Sequence, residues 1–345
     1  MTPAKEPLNQ VSATIRPQEQ PQTSRIHPGI GGAAVASVGA SLPEHVVYSR
    51  EIEERFGLEP GWIERRTGIR ERHIAGPDER VDQHATRAAL EALGKAGIDP
   101  LEIDVVLAAT TSSDELLPNL APLVAHGVGA TRAGAFDISA ACNGFLSALA
   151  TGTALIDAGR ANTVLVVGAD FMSRMTNPTD RGTSAVFADG AGAIVLVATG
   201  EPSRVGPVVL GSEGDLEGII KISRETQLIE MIGHETFKIA VNKLAQATEQ
   251  AVVASGLTYD DIDLFVYHQA NGRILTSLAE RLGLSTDRVV DCIGELGNTS
   301  AATLPLALEH SVNSGLLKEG DRVLLAAFGA GFAWGATVIE WGVSA

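Results

Sequence analysis

The chain has 345 residues, 45% hydrophobic and 20% charged, which is enough apolar material for a large core and too few charges for a disordered chain. With 26 Lys and Arg against 42 Asp and Glu, its net charge of −16 excludes a general nucleic-acid binder and leaves any acidic partner dependent on a local basic patch. No apolar run reaches the roughly 20 residues of a membrane span, no apolar segment of a secretory signal opens the chain, and Cys142 and Cys292 stand in unlike contexts, so the expectation is a reduced, cytoplasmic protein.

In chain order, residues 1–28 are rich in Gln, Pro and Ser and are expected to form a flexible tail. The Gly29-x-Gly31-x-x-Ala34 pattern follows that polar tail rather than a strand, so it is not read as a dinucleotide site. Short aliphatic runs then alternate with Ala-rich helical stretches. The expected elements are a helix over 81–96, a strand over 105–109, a helix over 143–158 and strands over 164–168 and 193–197. A helix over 237–255, a strand over 264–267, a helix over 273–282 and a strand over 323–327 follow. The alternation predicts an α/β sheet covered on both faces.

An internal repeat runs through this pattern. The segment AGIDPLEIDV at 96–105 resembles SGLTYDDIDL at 255–264, an offset of 159 residues, and the same offset puts Val164 on Val323. Few copies at a long period suggest two related halves rather than a solenoid. The offset also superposes Cys142 on Ala301, so the loops around Cys142 and Asn298 become equivalent strand-to-helix turns that would meet at the junction of the halves.

Three polar residues sit at such turns. Cys142, in SAACNGF, enters a helix whose dipole favours a thiolate; the bland alternative is a buried inert thiol. His268, in YHQANGR, ends an aliphatic strand and is either a proton-handling imidazole or a hydrogen-bonded structural one. Asn298, in GNTSAA, is either a plain helix cap or an uncharged donor to a developing oxyanion. The glycine-rich FGAGFAWG at 328–335 offers backbone N–H groups with little obstruction. Metal-ligand spacings such as C-x-x-C or H-E-x-x-H are absent.

SAACNGF, FADGAGA, YHQANGRI, GNTSAA and FGAGFAWG, in this order, resemble the β-ketoacyl-[acyl-carrier-protein] synthase III family of the thiolase superfamily. The resemblance covers roughly residues 30–345. It implies a thiolase-like α/β fold with two pseudo-symmetric βαβαβ halves in a layered α-β-α-β-α arrangement. The nucleophile half would span 29–204 and the His and Asn half 205–345, and two chains would form a homodimer. It also implies a catalytic triad of Cys142, His268 and Asn298, with the oxyanion held by the N–H groups of Cys142 and Ala330. Elongating synthases would carry a second His at Asn298, and thiolases a second Cys in the 328–335 loop; neither is present.

The resemblance further assigns Trp62, Arg66, Arg181 and Asn271 to coenzyme A. It assigns Gln269, Ala270, Asn271, Gly272, Arg273 and Lys238 to the acyl carrier protein. The activity implied is decarboxylative condensation of an acyl-coenzyme A with malonyl-carrier protein, without metal or redox cofactor, opening fatty acid synthesis. The alternative is a relative that primes a polyketide or transfers an acyl group, and a catalytically dead scaffold is the reading from another class. Two departures stand out: Ala330 replaces a common Gly, and segment 211–235 is short where the family shapes its acyl pocket. Leu117 falls on the loop that in this family reaches the neighbouring subunit's acyl pocket, where an aromatic is common.

Overall fold

The computed structural model describes residues 31–343. The tail expected over 1–28 and Gly29 lie outside the described residues. β1 (Ala33–Ser41) opens the first sheet. A small antiparallel pair, β2 (Val46–Tyr48) and β3 (Glu71–His73), brackets α1 (Ser49–Phe56) and α2 (Trp62–Thr67). Then come α3 (Val81–Ala96), β4 (Val105–Ala109), α4 (Leu120–Val128), β5 (Gly134–Asp137), α5 (Gly144–Asp157), β6 (Thr163–Phe171), α6 (Arg181–Ser184) and β7 (Asp189–Ala198). The chain continues through β8 (Val209–Ser212), β9 (Ile220–Ile222), β10 (Ile229–Met231), α7 (Gly233–Ala254), β11 (Leu264–Tyr267) and α8 (Gly272–Leu282). It closes with α9 (Ile293–Leu296), α10 (Thr303–Asn313), β12 (Arg322–Gly329) and β13 (Ala333–Glu340).

Two sheets carry the architecture, ordered β1-β7-β6-β4-β5 and β11-β12-β13-β8. β5, β4 and β6 run parallel, as do β11 and β12, and the remaining neighbours are antiparallel. α5 packs on β4 and β6 of the first sheet and on β12 and β13 of the second, while α10 touches β1, β7 and β11. These two helices form the middle layer. α3 and α4 cover the outer face of the first sheet, and α7, with α8 beside it, covers that of the second. The resulting order is α-β-α-β-α. Phe145, Leu149, Val166, Val266, Leu304 and Leu325 are buried together between the sheets.

The sequence repeat is also a repeat of structure. Val105 pairs with Val164 as Leu264 pairs with Val323. Asp104 Oδ2 accepts from Thr163 N at 3.1 Å, and Asp263 Oδ2 accepts from the equivalent Arg322 N at 2.8 Å. Ala141 (φ 48°) and Ser300 (φ 53°), again 159 residues apart in number, share a left-handed backbone that non-glycine residues avoid.

Where elements differ from expectation, pairing outweighed propensity. β6 and β7 run past the expected 164–168 and 193–197 because Ala169–Phe171 and Asp189–Gly192 continue each other's ladder. β1, rich in Ala, Gly and Ser, carries little strand signal of its own and is a strand because β7 pairs with it. α7 starts at Gly233, before the expected 237, since Gly and His signal a helix weakly. Among the described residues no helix is long and apolar enough to cross a membrane.

Candidate active site

The turns between the layers meet around one cavity of about 580 Å³. Cys142 lies in a 3₁₀ turn (Ala141–Asn143) that leads from β5 into α5, half-buried and facing the cavity. Burial pushes its thiol up to about 12, opposed by a hydrogen bond from Ser300 and reinforced by the Asp170 carboxylate. Desolvation thus opposes the thiolate that the helix terminus favours.

His268 follows β11 and is 1% exposed, its backbone N–H bound to Ala326 O at 2.8 Å. Its Nδ1 lies 2.6 Å from Thr303 Oγ1, which leaves Nε2 for the cavity. The Thr303 hydroxyl is able to donate or accept, so the pocket supports either tautomer. Burial alone lowers the imidazole to about 3, so His268 is neutral throughout the physiological range. Against an ordinary value of 6.5, this depressed folded-state pKa adds stability above pH 6.5 that is lost as the pH falls toward 3. Urea unfolding of His268→Gln between pH 7 and pH 4 is expected to lose that part of the acid-side slope; a slope equal to wild type would refute it.

Asn298 precedes the 3₁₀ turn Ser300–Ala302, whose N-cap is Thr299. Asn298 Oδ1 accepts from Ser300 N at 2.9 Å, a bond within the loop, and Asn298 lines the cavity. Gly329, at the end of β12, approaches so closely that an added Cβ would fall 2.8 Å from Cys142 N and 3.0 Å from Asn143 N. Ala330 is the next residue, half-buried, and opens a 3₁₀ turn that reciprocal backbone bonds between Phe332 and Glu213 hold at 2.9 and 3.0 Å.

At the other end of the cavity Trp62 carries two guanidinium groups, Arg66 with Cζ at 4.3 Å and Arg181 with Cζ at 5.4 Å from the ring centroid. Asp180 caps α6, accepting from Gly182 N at 2.9 Å and Thr183 N at 3.1 Å, which fixes Arg181 at the helix start. Buried Arg72 ties the two arms together, donating to Ser184 O at 3.2 Å and to Ser49 Oγ at 2.7 Å; burial brings it down to about 10. Arg66, Arg181, Lys238 and Arg273 line this cavity with no Asp or Glu among its lining residues. Ile220, Ile229 and Met231 come from segment 211–235 and give the inner wall its apolar face beside Phe187.

The residues expected at a carrier-protein surface divide. Arg273 is exposed with Cζ 5.7 Å from the Phe237 ring centroid, Lys238 is exposed and paired with Glu235 at 3.5 Å, and Asn271 caps α8 through Arg273 N at 2.9 Å. Gly272 is half-buried, and Ala270, 7% exposed, faces the cavity. Gln269 is 1% exposed, and its amide binds Tyr267 O, Val290 O and Cys292 N, which holds the loop. Leu117 is 79% exposed and does not line the cavity of its own chain. Ser300, Thr303, Gly329, Asp170 and Arg72 were not singled out from the sequence. Two of them had a signal: Ser300 in GNTSAA, opposite Ala141 in the repeat, and Gly329 in FGAGFAWG. No group of three or more His, Cys, Asp or Glu arranged to hold a metal occurs among the described residues.

The family model described as 3-oxoacyl-[acyl-carrier-protein (ACP)] synthase III matches residues 136–214, and that of its C-terminal part matches residues 252–341. β-Ketoacyl-[acyl-carrier-protein] synthase III 3 of Streptomyces coelicolor is 41% identical over 325 residues, 90% of this chain and 97% of that protein. The crystal structure of 3-oxoacyl-[acyl-carrier-protein] synthase III from Aquifex aeolicus is similar at a TM-score of 0.86 and 36% identity, covering 90% of this chain and 100% of that one. That of the priming β-ketosynthase from the R1128 polyketide biosynthetic pathway is similar at a TM-score of 0.88 and 36% identity, covering 92% and 98%. With the layered fold and the cysteine-bearing cavity already described, these matches make the chain a member of the 3-oxoacyl-[acyl-carrier-protein] synthase III family, condensing enzymes of the thiolase-like fold.

Proposed function

We propose that the chain condenses an acyl-coenzyme A with malonyl-acyl-carrier protein, releasing carbon dioxide and giving the β-ketoacyl-carrier protein that initiates fatty acid synthesis. One observation carries the reading: a single cavity joins a cationic, indole-bearing rim to Cys142, His268 and Asn298. A coenzyme A thioester has the same polarity, with a base and phosphates at one end and a reactive carbonyl at the other. Trp62, Arg66 and Arg181 would take the adenine end, with Asn271 along the arm.

In the first half-reaction the Cys142 sulfur attacks the acyl carbonyl, and its proton passes through His268 Nε2 to the departing coenzyme A sulfur. The N–H groups of Cys142 and Ala330 receive the oxyanion, supported by the close approach of Gly329 to Cys142. In the second, hydrogen bonds from His268 and Asn298 hold the malonyl thioester oxygen while carbon dioxide leaves. The resulting enolate attacks the acyl-Cys142 carbonyl and expels the Cys142 thiolate, which takes up a proton from solvent. Loss of carbon dioxide supplies the carbanion, so the chemistry calls for no metal or redox group.

The halves proposed over 29–204 and 205–345 are supported by the repeated register, with Cys142 in the first and His268 and Asn298 in the second. The working unit is proposed to be a cytoplasmic homodimer. Its support is β5, an edge strand with Phe136 45% exposed, beside Leu116 and Leu117 at 84% and 79%. From there Leu117 would gate the partner's acyl pocket. The priming of a polyketide is the second reading, favoured by the likeness to the R1128 priming β-ketosynthase.

The test is incubation with a panel of acyl-coenzyme A esters and malonyl-carrier protein, with products read by mass spectrometry. A β-ketoacyl-carrier protein is the expected product, and acyl transfer without condensation would refute the reading. Arg273→Glu should lower kcat/KM for the carrier protein about tenfold or more, because it reverses a rim charge in a chain of net charge −16, and should affect Cys142 acylation far less. Equal losses in both half-reactions would remove Arg273 from the docking surface.

A further inference from the structure

The strained residue Ser300 lies against the proposed nucleophile. It is 1% exposed, and its hydroxyl donates to Cys142 Sγ at 3.3 Å across 158 positions of chain. Its left-handed backbone (φ 53°) is not an accident of one loop, because Ala141 repeats it (φ 48°) in the turn that carries the cysteine. The two turns pack against each other at the junction of the layers. A strained conformation at a buried non-glycine residue persists only where its surroundings over-determine it.

Asp170 supplies that determination. It is fully buried at the end of β6, and its Oδ2 accepts from Ala301 N, the residue after Ser300, at 3.0 Å. Its Oδ1 accepts from Thr111 N at 2.7 Å, Ser112 N at 3.0 Å, Ser112 Oγ at 2.9 Å and Thr110 Oγ1 at 3.2 Å. One carboxylate thus pins a loop of the first sheet to the turn that carries Ser300. Gly168 on the same strand lets that turn approach, since a Cβ there would fall 2.3 Å from Ala301 O.

We propose that Ser300 is a further catalytic residue of acylation, whose hydroxyl holds the Cys142 thiolate as it forms, and that Asp170 is the positioning residue behind it. The inference rests on the reading of Cys142 as the nucleophile. The cysteine S–H bond breaks and the sulfur–acyl bond forms; the proton goes through His268 to the coenzyme A sulfur, and Ser300 keeps its own proton. Burial and Asp170 both oppose the thiolate, and Ser300 is the side chain that lowers the thiol's pKa. A thiolate is a stronger acceptor than a thiol, so this bond strengthens along the reaction.

The test uses the full chain and iodoacetamide, which alkylates the thiolate without needing the coenzyme A site, with Cys142 followed by peptide mass. Ser300→Ala removes the hydroxyl, and Ser300→Gly removes it while relieving the backbone strain. Both are expected to slow Cys142 alkylation about 10- to 100-fold at pH 8, the worth of one hydrogen bond to a charged acceptor, and to move its pH profile upward. In acylation kcat should fall by a similar factor with KM for the acyl-coenzyme A little changed. Alkylation unchanged in both variants overturns the proposal, as does recovery in Ser300→Gly, which would reduce the residue to a backbone role. Failure of wild type to take an acyl group from any acyl-coenzyme A would overturn the proposed function instead, and alkylation reads Ser300 independently of it.

Discussion

Cys142→Ala is expected to abolish covalent acylation and to lower condensation by at least about 10⁴-fold, the scale seen when an activated nucleophile is removed from a concerted set. The reason is positional. Cys142 is the thiol that opens into the cavity, in contact with Ser300 and beside His268 and Asn298. The other cysteine, Cys292, is 3% exposed, and its N–H is bound to Gln269 Oε1 at 3.2 Å. Intact-mass measurement after incubation with acetyl-coenzyme A should find one acyl adduct in wild type and in Cys292→Ala, and none in Cys142→Ala. An adduct that persists in Cys142→Ala would end the proposed mechanism.

The second large effect is expected at Gly329. Its backbone is extended (φ −156°, ψ −179°), so alanine meets no conformational objection there. The objection is space. The new Cβ would fall 2.8 Å from Cys142 N, 3.0 Å from Asn143 N and 3.2 Å from Ala140 O, all backbone atoms that have no rotamer to yield. Either β12 or the Cys142 turn must move, which shifts the N–H groups proposed to hold the oxyanion. Gly329→Ala should therefore lower kcat about 10²- to 10³-fold, the cost of losing one oxyanion donor, and destabilise the fold by about 1–3 kcal/mol through overpacking. Activity within threefold of wild type, with an unchanged melting temperature, would mean that the junction tolerates the methyl group and that this close approach is not functional.

Short-range order is what the sequence made legible. SAACNGF, YHQANGRI and GNTSAA each mark a strand end, a small-residue turn and a helix start within a few residues, so the local context of Cys142, His268 and Asn298 could be read before any fold was known. The 81–96 helix and the 105–109 and 264–267 strands were readable to the residue because their apolar periodicity is bounded by polar residues and turns. β1 was not, because Ala, Gly and Ser leave the choice of strand to the neighbour that pairs with them.

The sequence by itself determined the repeat, the two-sided sheets and the three turns that carry the polar residues, since each shows as a local pattern of residue types. Only the tertiary structure decided how those turns act on one another. Gln269 looked like its neighbours Asn271 and Arg273, yet packing turned it inward to hold Cys292 and Val290. The helix start that favours a thiolate at Cys142 was readable, but the desolvation that opposes it depends on how the layers bury the turn. The bond from Ser300 to Cys142, and the carboxylate of Asp170 behind it, join residues more than 100 positions apart, whose meeting follows from the packing of two sheets around α5 and α10.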